Sequence, residues 1–126
     1  MFEHDYIMRM IKDLGKFLAL FIKKDTVDYV LPVDEENFTE TDYLHKELIT
    51  LLKQGKINEA ENILYKNLNS ENTKYLELAL DFYERLNDFD DEFLEKNNFT
   101  RVEIEQGLKE IANEFGINLN AFFVDY

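Results

Sequence analysis

Carboxylates are the most abundant side chains in this sequence that could carry out acid–base chemistry. The 126 residues include 27 aspartates and glutamates, but only two histidines and no cysteine. Two carboxylates on one helix face, such as Glu77 with Asp81 or Asp81 with Glu84, could in principle exchange protons with a substrate. A chain with so many acids produces such pairs by chance, so this spacing does not by itself predict an enzyme.

Neither the histidines nor the acidic run at residues 88–95 has the spacing of a metal site. His4 and His45 belong to no metal-ligand motif, and we expect both to be ordinary surface residues. The acidic run superficially resembles a calcium loop. However, it places Phe93 where a glycine must turn the chain and Phe99 where a bidentate glutamate must close the site. We therefore expect no metal, and interpret the run as a helix start capped by aspartate.

Motifs for a nucleophilic serine and for phosphate binding are also missing from the sequence. Ser70 is the only serine, and it lies in a polar turn without a nucleophile elbow. The four glycines, Gly15, Gly55, Gly107 and Gly116, are too far apart for a phosphate cradle. The net charge of -13 argues against nucleic acid, because affinity for phosphates comes from lysine and arginine. These features predict a protein that is not an enzyme, needs no cofactor and binds no nucleic acid.

The elements that must position any site begin with a strongly apolar N-terminal helix, predicted for residues 1–24. Ile7, Leu14 and Phe21 recur every seven residues, which is typical of an amphipathic helix. Residues 17–22 carry no charge, so this second half is apolar on every side and should contact two neighbours. The run is far shorter than the roughly 18 residues that a membrane span needs, which favours a cytoplasmic protein.

A long connector and a closing segment flank the central helices. Residues 25–40 contain the only proline, which favours extended backbone before it, and their apolar side chains predict that this connector lies across the helical body. At the other end, Thr100 and Glu103 form a capping box before a helix that stops at Gly116. Residues 98–126 therefore predict a closing helix and a docked tail, and the whole chain predicts one domain.

Residues 41–97 predict helical hairpins, and the turn of the first hairpin has a distinctive pattern. Within the run 51–64, Gly55 ends one helix, and a hydrophobic residue followed by glutamate and Ala60 begins the next. This run resembles the inter-helix turn of a tetratricopeptide-type repeat. A weaker echo 32 residues later has Glu92 in place of the small Ala60. The resemblance implies stacked helix pairs, which hold peptides or helices on their surfaces.

The whole chain, including its opening residues 5–11 and its later run 99–108, is similar to a small bacterial family of uncharacterised function. That resemblance implies no activity. Together with the helical periodicity, the sequence predicts an all-α fold of five or six helices. In this fold, tetratricopeptide-like hairpins pack against the long apolar N-terminal helix.

These features favour a non-enzymatic protein-interaction module that self-associates, as a homodimer, through its first helix. Burying five apolar side chains there at about 1.5–3 kcal/mol each would supply roughly 8–15 kcal/mol in gross terms. The side chains predicted to form this interface are Met10, Leu14, Phe17, Leu20 and Phe21.

Two alternatives to self-association remain. Residues 6–24 are both basic and apolar, which is typical of helices that lie in a membrane interface. Residues 1–24 carry five basic and three acidic groups, net +2, which leaves -15 for residues 25–126. Because anionic headgroups would repel that acidic body, membrane attachment is disfavoured. The other alternative is an enzyme without a recognisable motif.

Five aromatic residues on the central helices suggest a second surface. They could line the groove of a hairpin stack and hold a peptide or a helix. Because aromatic residues at helical spacing are most often core, burial is the competing interpretation. The five residues are Tyr43, Tyr65, Tyr75, Phe82 and Tyr83.

Overall fold

The computed structural model describes residues 2–124, with side chains from Asp5 onward. This part of the chain forms seven α-helices and no β-strand, which confirms the prediction of an all-α fold. None of these helices is long and apolar enough to cross a membrane. The helices are α1 (Phe2–Ala19), α2 (Glu40–Lys53), α3 (Ile57–Asn67), α4 (Thr73–Asp88), α5 (Asp91–Lys96), α6 (Arg101–Glu114) and α7 (Asn120–Phe123).

The N-terminal helix is shorter than predicted, because α1 ends at Ala19 and the chain continues as a single 3-10 turn, Leu20–Ile22. Lys23 then adopts the left-handed conformation, with φ of 57°. The N–H of Lys24 donates to the carbonyl of Ala19 at 3.1 Å, a hydrogen bond that commonly closes the end of a helix. The last apolar residues of this segment therefore lie on a turn rather than on a regular helix face.

α4 is the central helix and packs against α1, α2 and α6, while α1 and α6 also contact each other. A helix that is buried on several sides normally lies in the middle of a domain. The buried residues of α4 are Leu76, Leu78, Ala79, Leu80, Asp81, Phe82, Tyr83, Leu86 and Asn87.

α2 and α3 form a helical hairpin around Gly55, which has φ of 76°. The N–H of Lys56 donates to the carbonyl of Leu51 at 2.9 Å, and Ala60 is fully buried just beyond the turn. The second predicted hairpin is not a matched pair of helices, because α5 has only six residues and Glu92 on it is exposed. The described residues therefore do not contain the two stacked helix pairs that the tetratricopeptide resemblance implied.

Candidate functional site

The five residues predicted to form a self-association surface do not share one exposed face. Met10 and Leu14 are buried in the core, because the regular part of α1 packs against α4 and α6. Phe17 is half-buried, whereas Leu20 and Phe21 on the 3-10 turn are 65% and 54% exposed. Met10 and Leu14 are thus not available for an interface, which corrects that part of the prediction.

Aromatic rings connect this turn to α7 at the far end of the chain. Phe17 contacts Phe21 and Phe122, with ring centroids 5.5 and 5.4 Å apart. Phe122 is buried and contacts Phe123 at 4.9 Å, so α7 is docked against the end of α1. Tyr126, which belongs to the predicted docked tail, lies outside the described residues. We call the surface formed here by Phe17, Leu20, Phe21, Phe123 and Val124 the terminal patch.

The aromatic groove predicted on the central helices is not formed. Phe82 and Tyr83 are fully buried, because neighbouring helices cover α4 on several sides. Tyr65 is half-buried and bonds the backbone of α6. Tyr43 is exposed on α2, and Tyr75 is half-buried near the start of α4. The competing interpretation, burial in the core, is therefore correct for Phe82 and Tyr83.

A buried polar cluster lies where the connector crosses α2 and α4, and its centre is Asp81. This carboxylate is 3% exposed and accepts from the backbone N–H of Tyr29 at 3.1 Å, from His45 Nε2 at 2.9 Å and from Arg85 Nε at 2.7 Å. Burial alone would raise the pKa of Asp81. The hydrogen bonds from His45, Arg85 and Tyr29, with the charge of Arg85, instead lower that pKa below its ordinary 3.8.

The prediction that His45 is a surface residue is wrong, since His45 is 5% exposed. Its ring stacks on the ring of Tyr29, with centroids 4.6 Å apart and planes inclined by 15°. Nε2 donates to Asp81, and Nδ1 has no hydrogen-bond partner among the described residues. His45 therefore packs as part of the core. The side chain of His4 lies outside the described part of the chain.

Tyr29 also fixes the connector to the start of α2 through its hydroxyl. The hydroxyl donates to Asp42 Oδ1 at 2.6 Å, while Asp42 Oδ2 accepts the N–H of Thr39 at 2.8 Å in a capping box. Burial would raise the pKa of Asp42, but hydrogen bonds from Thr39 and Tyr29 lower it. Burial, followed by the bond to Asp42, raises the pKa of Tyr29. One tyrosine thus links two buried carboxylates on two helices.

A partly buried ion pair holds the connector nearer its beginning. Lys24 donates to Glu77 Oε1 at 2.8 Å and to the carbonyl of Asp28 at 2.6 Å. Lys74 Nζ lies 3.5 Å from Glu77 and 5.2 Å from the centroid of the Tyr29 ring. The connector is therefore held to α4 by contacts on both sides of residue 28.

The predicted cover of the helical body by the apolar side chains of the connector is only partial. Val27 and Tyr29 are buried, and Leu31 is half-buried. Val30 and Val33 are exposed. Alternate residues from 27 to 31 therefore face the helices, which is the pattern of an extended chain lying on a surface.

A second cluster, which is partly buried, joins α3, α4 and α6. The hydroxyl of Tyr83 donates to Glu61 Oε2 at 2.6 Å and lies 3.2 Å from the hydroxyl of Tyr65, which donates to the carbonyl of Gly107 at 3.2 Å. Burial raises the pKa of Tyr65 to about 12. Burial also raises the pKa of Glu61, with further contributions from Glu103 and a neighbouring glutamate, against the bond from Tyr83. The cluster ties three helices together.

The opposite pKa shifts in this protein predict a stability maximum on the acid side of neutral pH. Burial raises the pKa of Glu61 and Glu84 above 4.5, so the folded protein takes up protons first as the pH falls toward 4.5, and the free energy of unfolding rises. The lowered pKa of Asp42 and Asp81 reverses this trend as the pH falls through 3.8. Urea denaturation at a series of pH values from 7 to 3 would measure both the rise and the fall in the free energy of unfolding.

Two single variants test the rise and the fall in stability separately. Glu84→Gln should reduce the rise in stability between pH 7 and 4.5, because it removes one carboxylate that gains protons on folding. Asp42→Asn should lower stability at pH 7 and flatten the decline below pH 3.8. A wild-type free energy of unfolding that decreases continuously from pH 7 to 3 would contradict these assignments.

In the polar cluster at Asp81, Asp81 and His45 are closed to solvent, whereas Arg85 is partly exposed. The carboxylate pairs considered from sequence are not formed, since Asp81 bonds His45 and Arg85, while Glu77 bonds lysines. Within the described residues, no group of three histidines or acids could hold a metal ion. One sequence signal did point to burial: Asp81 interrupts the apolar run 78–83 in the middle of a helix.

Comparison with known proteins identifies a family without an assigned activity. A family of unknown function (DUF6483) matches residues 1–116, which span α1 to the end of α6 and include both clusters. No curated protein and no solved structure matches the chain. The match confirms the resemblance to a family of uncharacterised function. The chain belongs to the DUF6483 family.

Proposed function

We propose that this protein is a non-enzymatic interaction module that self-associates through the terminal patch. The exposure of Leu20 and Phe21 supports this proposal, because two large apolar side chains stand adjacent on a turn fixed by its own backbone hydrogen bonds. Half-buried Phe17 and Phe123 extend the apolar surface around them. Contiguous apolar surface of this kind on a soluble domain is typical of a binding site.

The composition of the patch sets the expected strength of the dimer. Covering Leu20 and Phe21, which already bury part of their surface, would contribute about 1–2 kcal/mol for each side chain. Two copies would therefore supply about 4–8 kcal/mol, with Phe17, Phe123 and Val124 adding to it, against an association cost of several kcal/mol. We expect a weak dimer, with a Kd of about 10 µM to 1 mM. The larger sequence-based energy counted Met10 and Leu14, which are already buried.

The matching apolar surface favours a second copy of the chain over a membrane as the partner. Lys16 and Lys23 are exposed beside the patch, and Lys109 Nζ lies 4.9 Å from the centroid of the Phe123 ring. Another copy offers an identical apolar patch, and these lysines reduce the net repulsion from its body, which carries a net charge of -15 in residues 25–126. An anionic membrane would attract the lysines but repel that body.

Sedimentation equilibrium from about 1 µM to 1 mM, a range chosen to bracket the expected Kd, would test this proposal. The wild-type protein should show a monomer–dimer equilibrium that strengthens with salt, because salt screens the repulsion between two copies of net charge -13. Leu20→Glu should abolish the dimer and leave the fold intact, since the side chain is exposed.

Val102→Glu is the matched control, because Val102 is 51% exposed on α6 and lies outside the patch. It should leave the equilibrium unchanged. A wild-type protein that stays monomeric over the whole range would contradict the proposal. If that monomer also floated with anionic vesicles and Leu20→Glu did not, membrane attachment would replace self-association.

A further inference from the structure

The terminal patch is built from two separate parts of the chain, and α7 supplies one of them. Three of its residues belong to the end of α1 and the turn that follows, whereas Phe123 and Val124 lie at the C-terminal end of α7. Phe122 lies between the two parts, since its buried ring contacts the rings of Phe17 and Phe123. The patch is therefore complete only while α7 is docked on α1.

Side-chain packing holds α7 to the helical body, because its hydrogen bonds in the described part of the chain are local. The N–H groups of Phe123 and Val124 donate to the carbonyls of residues 119 and 120. Phe122 is buried against the end of α1, and Lys109 Nζ lies 4.9 Å from the centroid of the Phe123 ring. A helix of four residues is not stable in water without such contacts. Folding and docking of α7 are therefore one event.

The end of α6 allows α7 to leave α1 without disturbing the other helices. Gly116 adopts φ of 69°, and the N–H of Ile117 donates to the carbonyl of Ala112 at 2.8 Å, which closes α6 with its own hydrogen bond. Gly116 and Asn118, which precede α7, are exposed. Short terminal elements held by few contacts open at a much lower free energy than the core. Undocking of α7 is thus a local opening that leaves α1–α6 packed.

We propose that docking of α7 controls self-association: the docked helix completes the terminal patch, and undocking removes Phe123 and Val124 from it. This inference rests on the proposed self-association and names what regulates it. A preformed patch binds a second copy at a lower entropic cost than a mobile one. Because both copies have to present a docked α7, the apparent Kd of the dimer rises with the inverse square of the docked fraction.

Phe122→Ala tests this proposal, because it weakens the anchor of α7 without replacing a residue of the patch. The ¹H–¹⁵N heteronuclear NOE at the amides of residues 120–124 would report undocking, and sedimentation equilibrium would give the Kd. A variant with about one third of its copies docked should dimerise about tenfold more weakly than the wild type. Phe122→Leu keeps an apolar anchor, so it should retain most of the docking and most of the affinity.

Phe93→Ala is the matched control, because it removes a half-buried ring from another short helix, α5, and lies outside the patch. It should change neither the NOE values of residues 120–124 nor the Kd. Phe122→Asp is a stronger variant, since an unpaired charge is costly to bury and should undock α7 fully. If α7 stayed ordered in Phe122→Asp, this ring would not be its anchor and the proposal would be overturned.

The remaining results separate the control by α7 from the self-association on which it rests. A wild-type protein that stays monomeric would overturn both. A dimer whose Kd is unchanged after α7 has become mobile would overturn only the control by α7, since Leu20 and Phe21 would then suffice. A dimer that becomes tighter would also overturn it, because α7 would then cover a stronger site around Phe17.

Discussion

Asp81→Ala is expected to lower the free energy of unfolding by about 3–5 kcal/mol at pH 7, because it leaves buried donors without their acceptor. His45 Nε2 and the N–H of Tyr29 both lose their partner inside the protein. Arg85 is partly exposed and can be hydrated, so it contributes less to the loss. Urea denaturation followed by circular dichroism would give the change in free energy. Hydrogen exchange at the Tyr29 amide would show whether the connector loses its protection.

Asp88→Ala is the control for this substitution, because Asp88 is an exposed acid on the same helix and outside the cluster. Its effect should stay within about 0.5 kcal/mol, as is usual for surface positions. If Asp81→Ala cost no more than Asp88→Ala, or if the Tyr29 amide kept its protection, the cluster would not be what holds the connector.

The bond from Tyr29 to Asp81 also explains why so long a connector is ordered. A segment of this length whose only regular secondary structure is the 3-10 turn Glu35–Asn37 is uncommon in a compact domain and must be held by its own contacts. Tyr29 supplies a stacked ring, a hydroxyl bond to Asp42 and a backbone bond to Asp81. Loss of Asp81 should therefore loosen the connector before it unfolds the helices.

The end of α2 and both ends of α6 could be predicted from the sequence because the signals that set them are local. Thr39 and Thr100 cap α2 and α6, and Thr100 is the cap that the sequence predicted. Gly55 and Gly116 adopt positive φ at the ends of α2 and α6. Such signals act within about one helical turn, so they can be recognised without knowing the fold.

The sequence could not show which helix covers which face, and the errors about sites follow from that. Met10 and Leu14 are apolar side chains that would suit either an interface or a core. Only the contacts of α1 with α4 and α6 show that they belong to the core. Phe82 and Tyr83 were compatible with a groove until α4 proved to be the central helix. Leu20 and Phe21 of the terminal patch differ from these buried residues, because the turn that ends α1 keeps them out of the core.

Hydrogen bonds between residues that are distant in the chain also could not be predicted from the sequence. His45 and Asp81 are 36 residues apart, and their bond depends on how α2 packs on α4. Local signals did exist, since His45 lies on the same side of α2 as Leu48 and Leu52, and Asp81 lies between apolar neighbours. These signals indicate burial of each residue but not the bond between them.

Gly107→Ala, within α6, is expected to lower the free energy of unfolding by about 1–3 kcal/mol through overpacking. Alanine is the better helix former by about 1 kcal/mol, so propensity alone predicts the opposite sign. A methyl group at this position would overlap the ring of Tyr83, which is fully buried on α4. The ring cannot move far while its hydroxyl remains bonded to Glu61. Urea denaturation would give the sign and the size of the effect.

Gly15→Ala is the matched control, because Gly15 is also a buried glycine within a helix, and a methyl group there would lie 3.5 Å from Val27 Cγ1, an ordinary contact. It should raise the free energy of unfolding by up to about 1 kcal/mol. Opposite signs for the same substitution would assign the cost at Gly107 to lack of space. A double variant with Tyr83→Leu should then cost less than the sum of the two single changes, since the smaller side chain makes room for the methyl group. Strict additivity would mean that the ring of Tyr83 is not what excludes alanine from α6.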